Sequence, residues 1–337
     1  MVVQDTVATV IIQTRGLRKS YRSRQGRQVK TVDAVRGVDL AVNQGEIFGF
    51  LGPNGAGKTT TLRMLATLIE PDGGAATIAG VDLRGDPGEV RRRIGYVAQG
   101  GSTWDEVTAR EELVLHAQMY GLGRAEAHRR AAEALAAFQL TEYADRKCKT
   151  YSGGQRRRVD IALGIVHGPQ VVFLDEPTTG LDPQSRAHMW EEIRRLRAEG
   201  MTVFITTHYL EEADALCDRI AIIDYGEIVA EGTPAELKRE VSGEVVTVGL
   251  HAAGPDSAAD ARPTQTAAEV LDAQPYVRKL ETFDGDLRLY VDHGATAVPQ
   301  IMRTLEGAQL PLDSIEVHRP SLNDVFLAKT GRSLRED

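Results

Sequence analysis

The chain has 337 residues, a length typical of about two domains, and 42% of them are hydrophobic, which supports a sizeable core. Forty basic and 48 acidic residues give a net charge of −8, which argues against a general nucleic-acid binder, because such proteins usually present a basic face. The two cysteines, Cys148 and Cys217, lie far apart in sequence, so we expect neither a disulfide framework nor a zinc site, and a reducing cytoplasm fits.

Hydropathy also excludes some classes of protein. Met1 to Thr9 has polar and acidic interruptions and lacks the apolar core of a signal peptide. The best apolar stretch, Ile161 to Leu174, is interrupted from His167 to Gln170. A membrane-spanning helix needs about 18 or more apolar residues in a row, so we expect none in this chain.

The N-terminal region favours antiparallel β structure. Val7 to Arg15 is rich in β-forming residues and predicts a strand, and Val32 to Val42 alternates as a partner strand would. The polar, basic stretch Arg22 to Lys30 contains Gly26 and predicts a loop between them. Tyr21 follows the first predicted strand. A single tyrosine at such a position is usually a packing residue that is exposed or half-buried.

A glycine-rich loop comes next, flanked by a predicted strand and a predicted helix. The loop consists of Gly52, Pro53, Asn54, Gly55, Ala56, Gly57, Lys58 and Thr59. It fits the P-loop pattern G-x-x-x-x-G-K-[ST], which requires a strand before it and a helix after it. The apolar run Ile47–Leu51 predicts that strand, and the helical spacing from Thr60 to Ile69 predicts that helix.

This loop has the chemistry of a phosphate site. Its glycines let backbone N–H groups turn toward an anion without Cβ clashes, and a helix N-terminus adds a favourable field. Lys58 would reach the β- and γ-phosphates, and the Thr59 hydroxyl would bind Mg²⁺. We therefore predict a nucleotide-binding site here.

The region up to residue 140 alternates strands and helices. The patterns predict a turn at Pro71–Gly74, strands at Ala76–Ala79 and Ile94–Ala98, and helices at Glu89–Arg93, Glu111–Tyr120 and Arg124–Phe138. Gln99 ends the second of these strands, where a polar residue is common. Trp104 lies in the predicted loop from Gly100 to Thr108 and is either a local packing residue or a docking residue.

A second glycine pair precedes another predicted helix. Tyr151 is followed by Ser152, Gly153, Gly154, Gln155 and three arginines. Ser152 is a good N-cap, and helical apolar spacing follows it. The stretch is therefore either a capped helix with basic surface residues or a second anion site at a helix N-terminus.

Two adjacent acids end the next predicted strand. The apolar run before Asp175 and Glu176 predicts a buried strand that delivers a carboxylate to the edge of the sheet. There Asp175 would bind Mg²⁺ beside the P-loop. The side chain of Glu176 points in a different direction from that of Asp175, because the two residues are adjacent in sequence. It could therefore orient or polarise a water molecule.

The segment from 178 to 230 predicts two further helices, a strand and a hairpin. A charged helix is predicted at Gln184–Glu199. Pro183 stands at its N-terminal position, and Asp182 is its N-cap. His208 follows the strand Thr202–Thr206 and is either structural or functional. The remaining predictions are a helix at Glu211–Leu216 and a hairpin of strands Ile220–Ile223 and Glu227–Ala230.

The C-terminal region predicts a small second domain. Strands at Val245–Leu250, Val277–Phe283, Leu287–Val291 and Ser314–His318 and helices at Ala267–Ala273 and Val298–Glu306 give the order β-α-β-β-α-β of a ferredoxin-like fold. The composition of His251 to Thr266 predicts a linker, and Asp284-Gly285 predicts a hairpin turn. Leu322, Val325 and Phe326 form an apolar helical face. It either packs within this chain, onto its own domain, or contacts a second subunit or the membrane partner.

Taken together, residues 8 to 238 resemble the nucleotide-binding domain of ABC transporters. The matching motifs are Walker A at Gly52–Thr59, the Q-loop Gln99, the signature Ser152–Gln155, Walker B at Phe173–Glu176, the D-loop Leu181–Asp182, the switch His208 and the adenine-stacking Tyr21. One departure is Tyr151, where the family often has leucine before the signature. The resemblance implies an α/β P-loop NTPase fold with a RecA-like core, an antiparallel β subdomain and a helical subdomain.

The domain boundaries expected from this resemblance are residues 8–240 for the nucleotide-binding domain, with the helical subdomain at about 100–168. A small α+β ferredoxin-like domain would follow at 244–320, and a tail at 321–337.

The resemblance also implies the site and its cofactors, ATP and Mg²⁺. The implied ATP-binding residues are Tyr21, Gly52, Pro53, Asn54, Gly55, Ala56, Gly57, Lys58, Thr59, Thr60, Ser152, Gly153, Gly154, Gln155 and Asp182. Thr59, Gln99 and Asp175 would hold Mg²⁺, and Glu176, His208 and Gln99 would carry hydrolysis. Two chains would pair head to tail, so that each signature completes the partner's ATP site.

Finer motifs resemble ATP-binding subunits of daunorubicin-resistance-type drug exporters, including the tail Pro320–Leu327. This resemblance implies an integral membrane permease partner, a peripheral location on the cytoplasmic face of the membrane, and no nucleic-acid partner. The alternatives are a soluble ABC ATPase in DNA repair or translation, and a subunit that exports lipid or polysaccharide. Import also stays open, because direction depends on the permease.

Overall fold

A computed structural model describes residues 9–25, 28–241, 244–250, 262–283, 286–318 and 320–331. The chain divides into two compact units, one up to Pro234 and one that begins at Ala235. Among the described residues, none of the helices is both long and apolar enough to span a bilayer.

The strands and helices alternate along most of the chain. The strands are β1 Val10–Gln25, β2 Gln28–Asn43, β3 Ile47–Leu51, β4 Gly73–Ile78, β5 Val81–Asp82, β6 Ile94–Val97, β7 Val171–Asp175, β8 Thr202–Thr207, β9 Arg219–Asp224, β10 Glu227–Gly232, β11 Glu244–Leu250, β12 Val277–Phe283, β13 Asp286–Val291 and β14 Leu312–His318. The helices are α1 Lys58–Leu65, α2 Pro87–Arg93, α3 Ala109–Met119, α4 Arg124–Ala137, α5 Gly153–Ile165, α6 Pro183–Ala198, α7 Leu210–Leu216, α8 Pro234–Val241, α9 Arg262–Asp272, α10 Gly294–Gly307 and α11 Leu322–Thr330. The mixed α/β class expected from the sequence is confirmed.

The first unit contains a six-stranded sheet in the order β10-β9-β3-β8-β7-β6. Neighbouring strands from β9 to β6 pair in parallel, and β10 pairs antiparallel with β9. Strands β3, β7 and β8 are buried along their whole length, which explains why they are mostly apolar rather than alternating. The ring of Phe204 packs 5.5 Å from Phe48 and 5.6 Å from Phe173, so aromatic contacts join neighbouring strands.

The sheet brings distant parts of the sequence to one edge. Because β3, β6, β7 and β8 run parallel, their carboxyl ends meet there. The P-loop follows β3, Gln99 follows β6, Asp175 ends β7, and His208 follows β8. Open parallel sheets bind ligands at this edge.

A four-stranded antiparallel sheet, β2-β1-β4-β5, completes the first unit's β structure. The loop predicted at Arg22–Lys30 is wrong, because β1 and β2 continue through it with Arg22 paired to Thr31 and Gln25 to Gln28. Gly26 lies outside the described residues. The polar side chains of this stretch show no strand pattern in the sequence. The strands still pair, because pairing requires only backbone hydrogen bonds.

Several helix boundaries also differ from the prediction. Helix α1 ends at Leu65, and the chain turns at Thr67, which has a φ of +61°. Ile69 therefore packs on the core from outside the helix that its spacing suggested. Helix α8 is absent from the prediction, and α9 begins at Arg262, inside the predicted linker.

The second unit has the element order predicted for a ferredoxin-like fold. Its antiparallel sheet has the order β12-β13-β11-β14, with the two strands of each β-α-β half separated by one strand. Helices α9 and α10 cover an apolar core that includes Val246, Leu289 and Ile301. Asp284-Gly285 lies outside the described residues.

The apolar face of α11 is buried within the single chain. Leu322 is 2% exposed, and Val325 and Phe326 are both 0% exposed. Ser321 caps this helix by accepting a hydrogen bond from the Asp324 backbone. Of the two interpretations of this face, packing within the chain is correct.

Candidate nucleotide-binding and hydrolysis site

The P-loop wraps the first turn of α1. Gly55 and Gly57 have φ values of +80° and +108°, in the left-handed region that favours glycine. Lys58 is 4% exposed, and its Nζ donates hydrogen bonds to Gly52 O (2.7 Å) and Pro53 O (3.1 Å). Burial lowers the pKa of Lys58, and the nearby carboxylate of Glu176 opposes that shift.

Gly57→Ala is expected to disrupt this loop. A Cβ at Gly57 would collide with the backbone oxygen of Ala34, and the positive φ adds strain of about 1–2 kcal/mol. We expect both a lower Tm and weaker ATP-analogue binding. Gly55→Ala is the matched control, because Gly55 also has a positive φ but a Cβ added there would meet no described atom within 4 Å. Equal effects at both positions would contradict the role of the collision.

A cavity of about 310 Å³ opens beside the loop. Its lining residues are Tyr21, Ala34, Asn54, Gly55, Gly57, Lys58, Thr59, Thr60, Gln99 and Glu176. Tyr21 is 42% exposed, so an aromatic face is accessible at the cavity. The fold therefore brings together the aromatic, the phosphate loop, the glutamine and the acid that the sequence singled out.

Asp175 faces the P-loop from the end of β7. Its Oδ1 accepts hydrogen bonds from Thr59 Oγ1 (3.1 Å) and Thr206 Oγ1 (2.7 Å). Within the described part of the chain, no three His, Cys, Asp or Glu residues form a metal cluster. Mg²⁺ prefers oxygen ligands and is usually held by one or two carboxylates together with substrate phosphates and waters. The hydroxyl of Thr59 and the carboxylate of Asp175 fit that ion.

Glu176 is the centre of the polar cluster at this edge. Gln99 Nε2 donates a hydrogen bond to Glu176 Oε2 (2.8 Å). Lys58 Nζ lies 3.3 Å from its Oε1, and His208 Nδ1 lies 3.2 Å from its Oε2. Glu176 also has a φ of +44°, an uncommon conformation for a residue with a side chain. Such backbone strain is concentrated at functional sites.

The charge state of Glu176 follows from these neighbours. Burial would raise its pKa, but His208 and the Lys58 ammonium outweigh burial and hold the pKa at about 2. The carboxylate is therefore ionised at neutral pH and can act as a base or an acceptor.

A pH dependence follows from this lowered pKa. The ionised carboxylate stabilises the folded chain above the ordinary glutamate pKa of 4.5, and that stabilisation is lost as the pH falls toward about 2. We expect the stability difference between wild type and Glu176→Gln to shrink across that window, measured by chemical unfolding at several pH values. A difference that grows as the pH falls would contradict the assigned pKa.

The glycine pair of the second motif begins α5. Ser152 Oγ accepts from Gln155 N (3.2 Å), and Gln155 Oε1 accepts from Ser152 N (2.9 Å), which forms a capping box. Ser152, Gly154 and Gln155 line a separate cavity of about 180 Å³ and do not line the P-loop cavity. Asp182 caps α6 by accepting from Ser185 N (2.9 Å) and is likewise not part of the P-loop cavity.

Two residues of α5, Arg157 and Asp160, connect this helix to the sheet edge, and the sequence did not identify either of them. Arg157 is buried and donates to Pro177 O (2.8 Å), Ala98 O (2.6 Å) and Asp175 O (3.2 Å). The sequence pattern favours a basic surface residue at this position. The burial of Arg157 could not be predicted, because the carbonyl groups that accept its hydrogen bonds lie on segments that only the fold brings together.

Asp160 anchors the loop that follows Gln99. Its Oδ1 accepts from the backbone N–H groups of Ser102 (2.8 Å) and Thr103 (3.1 Å), and from the Thr103 hydroxyl (2.7 Å). Trp104, in the same loop, is 64% exposed. The one sequence signal for Asp160 is an acid among the apolar residues of α5, whose burial makes a polar partner necessary.

Known protein families match both units of the chain. The ABC transporter family profile matches residues 35–179, and the profile of the DrrA1-3-like ATP-binding protein C-terminal domain matches residues 232–330. The chain is 44% identical to the daunorubicin/doxorubicin resistance ATP-binding protein DrrA of Streptomyces peucetius, over 97% of this chain and 94% of that protein. It is 36% identical to the linearmycin resistance ATP-binding protein LnrL of Bacillus subtilis, over 97% of this chain and all of that protein.

The chain also resembles solved cassettes. The dimeric, post-hydrolysis structure of the ATP-binding cassette MJ0796 bound to ADP and Pi covers 66% of this chain and 98% of the cassette, with 27% identity and a TM-score of 0.59. The fold, the P-loop cavity and these matches define an ATP-binding cassette. The chain belongs to the ATP-binding subunits of ABC transporters, and it is an ABC-type ATPase.

Proposed function

We propose that this chain hydrolyses ATP with Mg²⁺ to power export of a drug or antibiotic-like hydrophobic compound through a separate membrane permease. The observation that carries the ATPase chemistry is the cluster in which Lys58, Gln99 and His208 all contact Glu176 within 3.3 Å. The drug-export part is supported by relatives named for daunorubicin, doxorubicin and linearmycin resistance.

Each group at the sheet edge has a proposed task. The P-loop from Gly52 to Thr59, with Thr60, holds the phosphates, and Tyr21 stacks on the adenine. Thr59, Asp175 and Gln99 hold Mg²⁺, which when bound neutralises charge on the phosphate oxygens. Glu176 accepts a hydrogen bond or proton from the attacking water, and His208 keeps that water and the γ-phosphate in line.

Hydrolysis then requires little covalent chemistry from the protein. The water oxygen bonds to the γ-phosphorus while the bond to the oxygen shared with the β-phosphate breaks, giving ADP and phosphate. Catalysis of phosphoryl transfer is mainly positioning and charge neutralisation. Lys58 supplies positive charge at the phosphates, and the ionised Glu176 supplies the acceptor for the water.

We propose that two copies of the chain pair head to tail. The signature residues Ser152, Gly153, Gly154 and Gln155 and the D-loop residue Asp182 would then complete the γ-phosphate site of the partner. Separation of the signature from the P-loop cavity within one chain supports this arrangement. The dimeric state of the MJ0796 cassette gives it independent support.

The domain limits proposed for this function are residues 8–240 for the cassette, with its helical subdomain at about 100–168. A ferredoxin-like domain at 244–320 and a tail at 321–337 complete the chain. The chain would attach peripherally to the cytoplasmic face of the membrane, where the exposed Trp104 lies in the loop proposed to dock on the permease.

Co-purification tests the transport proposal. The tagged chain is isolated from detergent-solubilised membranes of its native cells, and its partners are identified. We expect a stoichiometric polytopic permease, and cells that lack the pair should accumulate more daunorubicin or linearmycin. A pool associated with ribosomes or DNA, and no permease, would reject export while leaving the ATPase activity standing.

A further inference from the structure

Glu212 is a fully buried carboxylate that lies outside the nucleotide cavity. It belongs to α7, which begins just after His208 and Tyr209, and it is 0% exposed. A carboxylate loses its hydration on burial, so its oxygens need protein partners. Burial raises the pKa of Glu212, and hydrogen bonds from neighbouring side chains offset that shift only in part.

One oxygen of Glu212 joins three segments of the fold. Thr178 Oγ1 donates to Glu212 Oε1 (2.8 Å), and Trp190 Nε1 donates to the same oxygen (3.0 Å). Thr178 is itself buried in the turn after β7, and Trp190 lies on α6. The carboxylate therefore ties the turn after β7 and helix α6 to helix α7.

Two of these segments carry groups of the hydrolysis site. Glu176 precedes Thr178 in the same turn, and Thr179 Oγ1 donates to Glu176 Oε2 (3.2 Å). His208 lies two residues before the start of α7, the helix that carries Glu212, and its Nδ1 lies 3.2 Å from Glu176 Oε2. The bond between Thr178 and Glu212 therefore spans the two strand ends on which Glu176 and His208 sit.

We propose that Glu212 is a positioning residue for ATP hydrolysis. Through Thr178 it holds the turn that bears Glu176 at a set distance from His208. This inference rests on the proposed roles of Glu176 and His208. It predicts a specific effect on turnover, because Glu212 does not line the P-loop cavity.

Steady-state kinetics of the full chain test this proposal. Glu212→Ala leaves the Thr178 hydroxyl and the Trp190 indole without their acceptor. We expect kcat to fall on the order of tenfold to hundredfold, as for other small displacements of reacting groups. The Kd for a non-hydrolysable ATP analogue should stay within about threefold, since the displaced groups act on the attacking water and the P-loop still binds the phosphates.

Two variants serve as comparisons. Glu212→Gln keeps an oxygen that accepts both hydrogen bonds, so it should restore most of the turnover. Glu211→Ala removes the exposed glutamate beside it and should hydrolyse ATP like wild type. Wild-type kcat in Glu212→Ala, or a parallel loss of kcat and analogue affinity, would overturn the proposal.

Thr178→Val provides a second test if Glu212→Ala fails to fold. It removes one donor and keeps the carboxylate and the size of the side chain, and it should lower kcat with analogue affinity retained. Glu176→Gln in the same assay separates the two levels of inference. If that variant hydrolyses ATP normally, the proposed site fails; if it is inactive while Glu212→Ala and Thr178→Val are normal, only the role of Glu212 fails.

Discussion

Glu176→Gln is expected to stop ATP turnover while sparing ATP binding, so that an ATP-bound dimer accumulates. Glutamine keeps the shape of the side chain and its hydrogen-bonding oxygen, but it cannot accept a proton from water. Loss of a general base typically lowers the rate by about 10²- to 10⁴-fold. The measurements are phosphate release for turnover and size-exclusion chromatography with ATP for the dimer.

The retained binding is as informative as the lost turnover. Lys58 lies 3.3 Å from Glu176, so removing this negative charge leaves the lysine free for phosphate and should not weaken affinity. Glu211→Gln is a control that removes one exposed carboxylate from the following helix region. Hydrolysis by Glu176→Gln at a rate close to wild type would reject the assigned base.

Lys58→Met is expected to lower nucleotide affinity by on the order of 10²-fold, because a charge-assisted contact to phosphate is lost in a water-poor loop. It should also destabilise the chain by about 3–5 kcal/mol, the usual cost of removing one partner from a buried ion pair. Lys58 is 4% exposed and Glu176 is 7% exposed, so this pair meets that condition. Calorimetric titration with an ATP analogue and denaturant unfolding measure the two effects separately.

A double variant separates binding from folding. Lys58→Met combined with Glu176→Gln removes both charges, so much of the stability should return while nucleotide affinity stays low. Lys149→Met is the control, because that lysine is paired with Glu106 at the surface, where ion pairs contribute little. If the double variant recovers nucleotide affinity together with stability, Lys58 does not contact phosphate.

Much of the fold could be predicted in detail from hydrophobic periodicity and from turn and capping residues. The apolar run before Asp175 and the turn chemistry around Asp182 and Pro183 are local signals, and the structure has a strand and a capped helix there. Prediction was wrong at Arg22–Lys30, where a polar sequence continues as a strand pair. It also misplaced the end of α1, because Ile69 packs on the core after the chain has already turned.

The residues of the candidate site likewise divide into those that could be identified from the sequence and those that could not. The P-loop, Gln99, the signature, the two acids and His208 could be found from sequence because each combines a local motif with a strand or helix end. Their roles stay predictions. Arg157, Asp160 and Glu212 could not be assigned, since the partners of each lie on segments remote in sequence. A buried arginine and an exposed one look alike until the fold supplies the carbonyls.

The amino-acid sequence by itself determined the class of protein, because phosphate binding needs residue types at fixed spacing within a short loop and its helix. It also determined most of the order of elements in both units, since alternation and helical spacing are local properties, but β5 and α8 were missed. Only the tertiary structure decided which side chains meet at Glu176, what ionises it, and that the apolar face of α11 is buried. The physical reason is that pKa values and buried polar contacts depend on through-space neighbours that parallel strand pairing brings together.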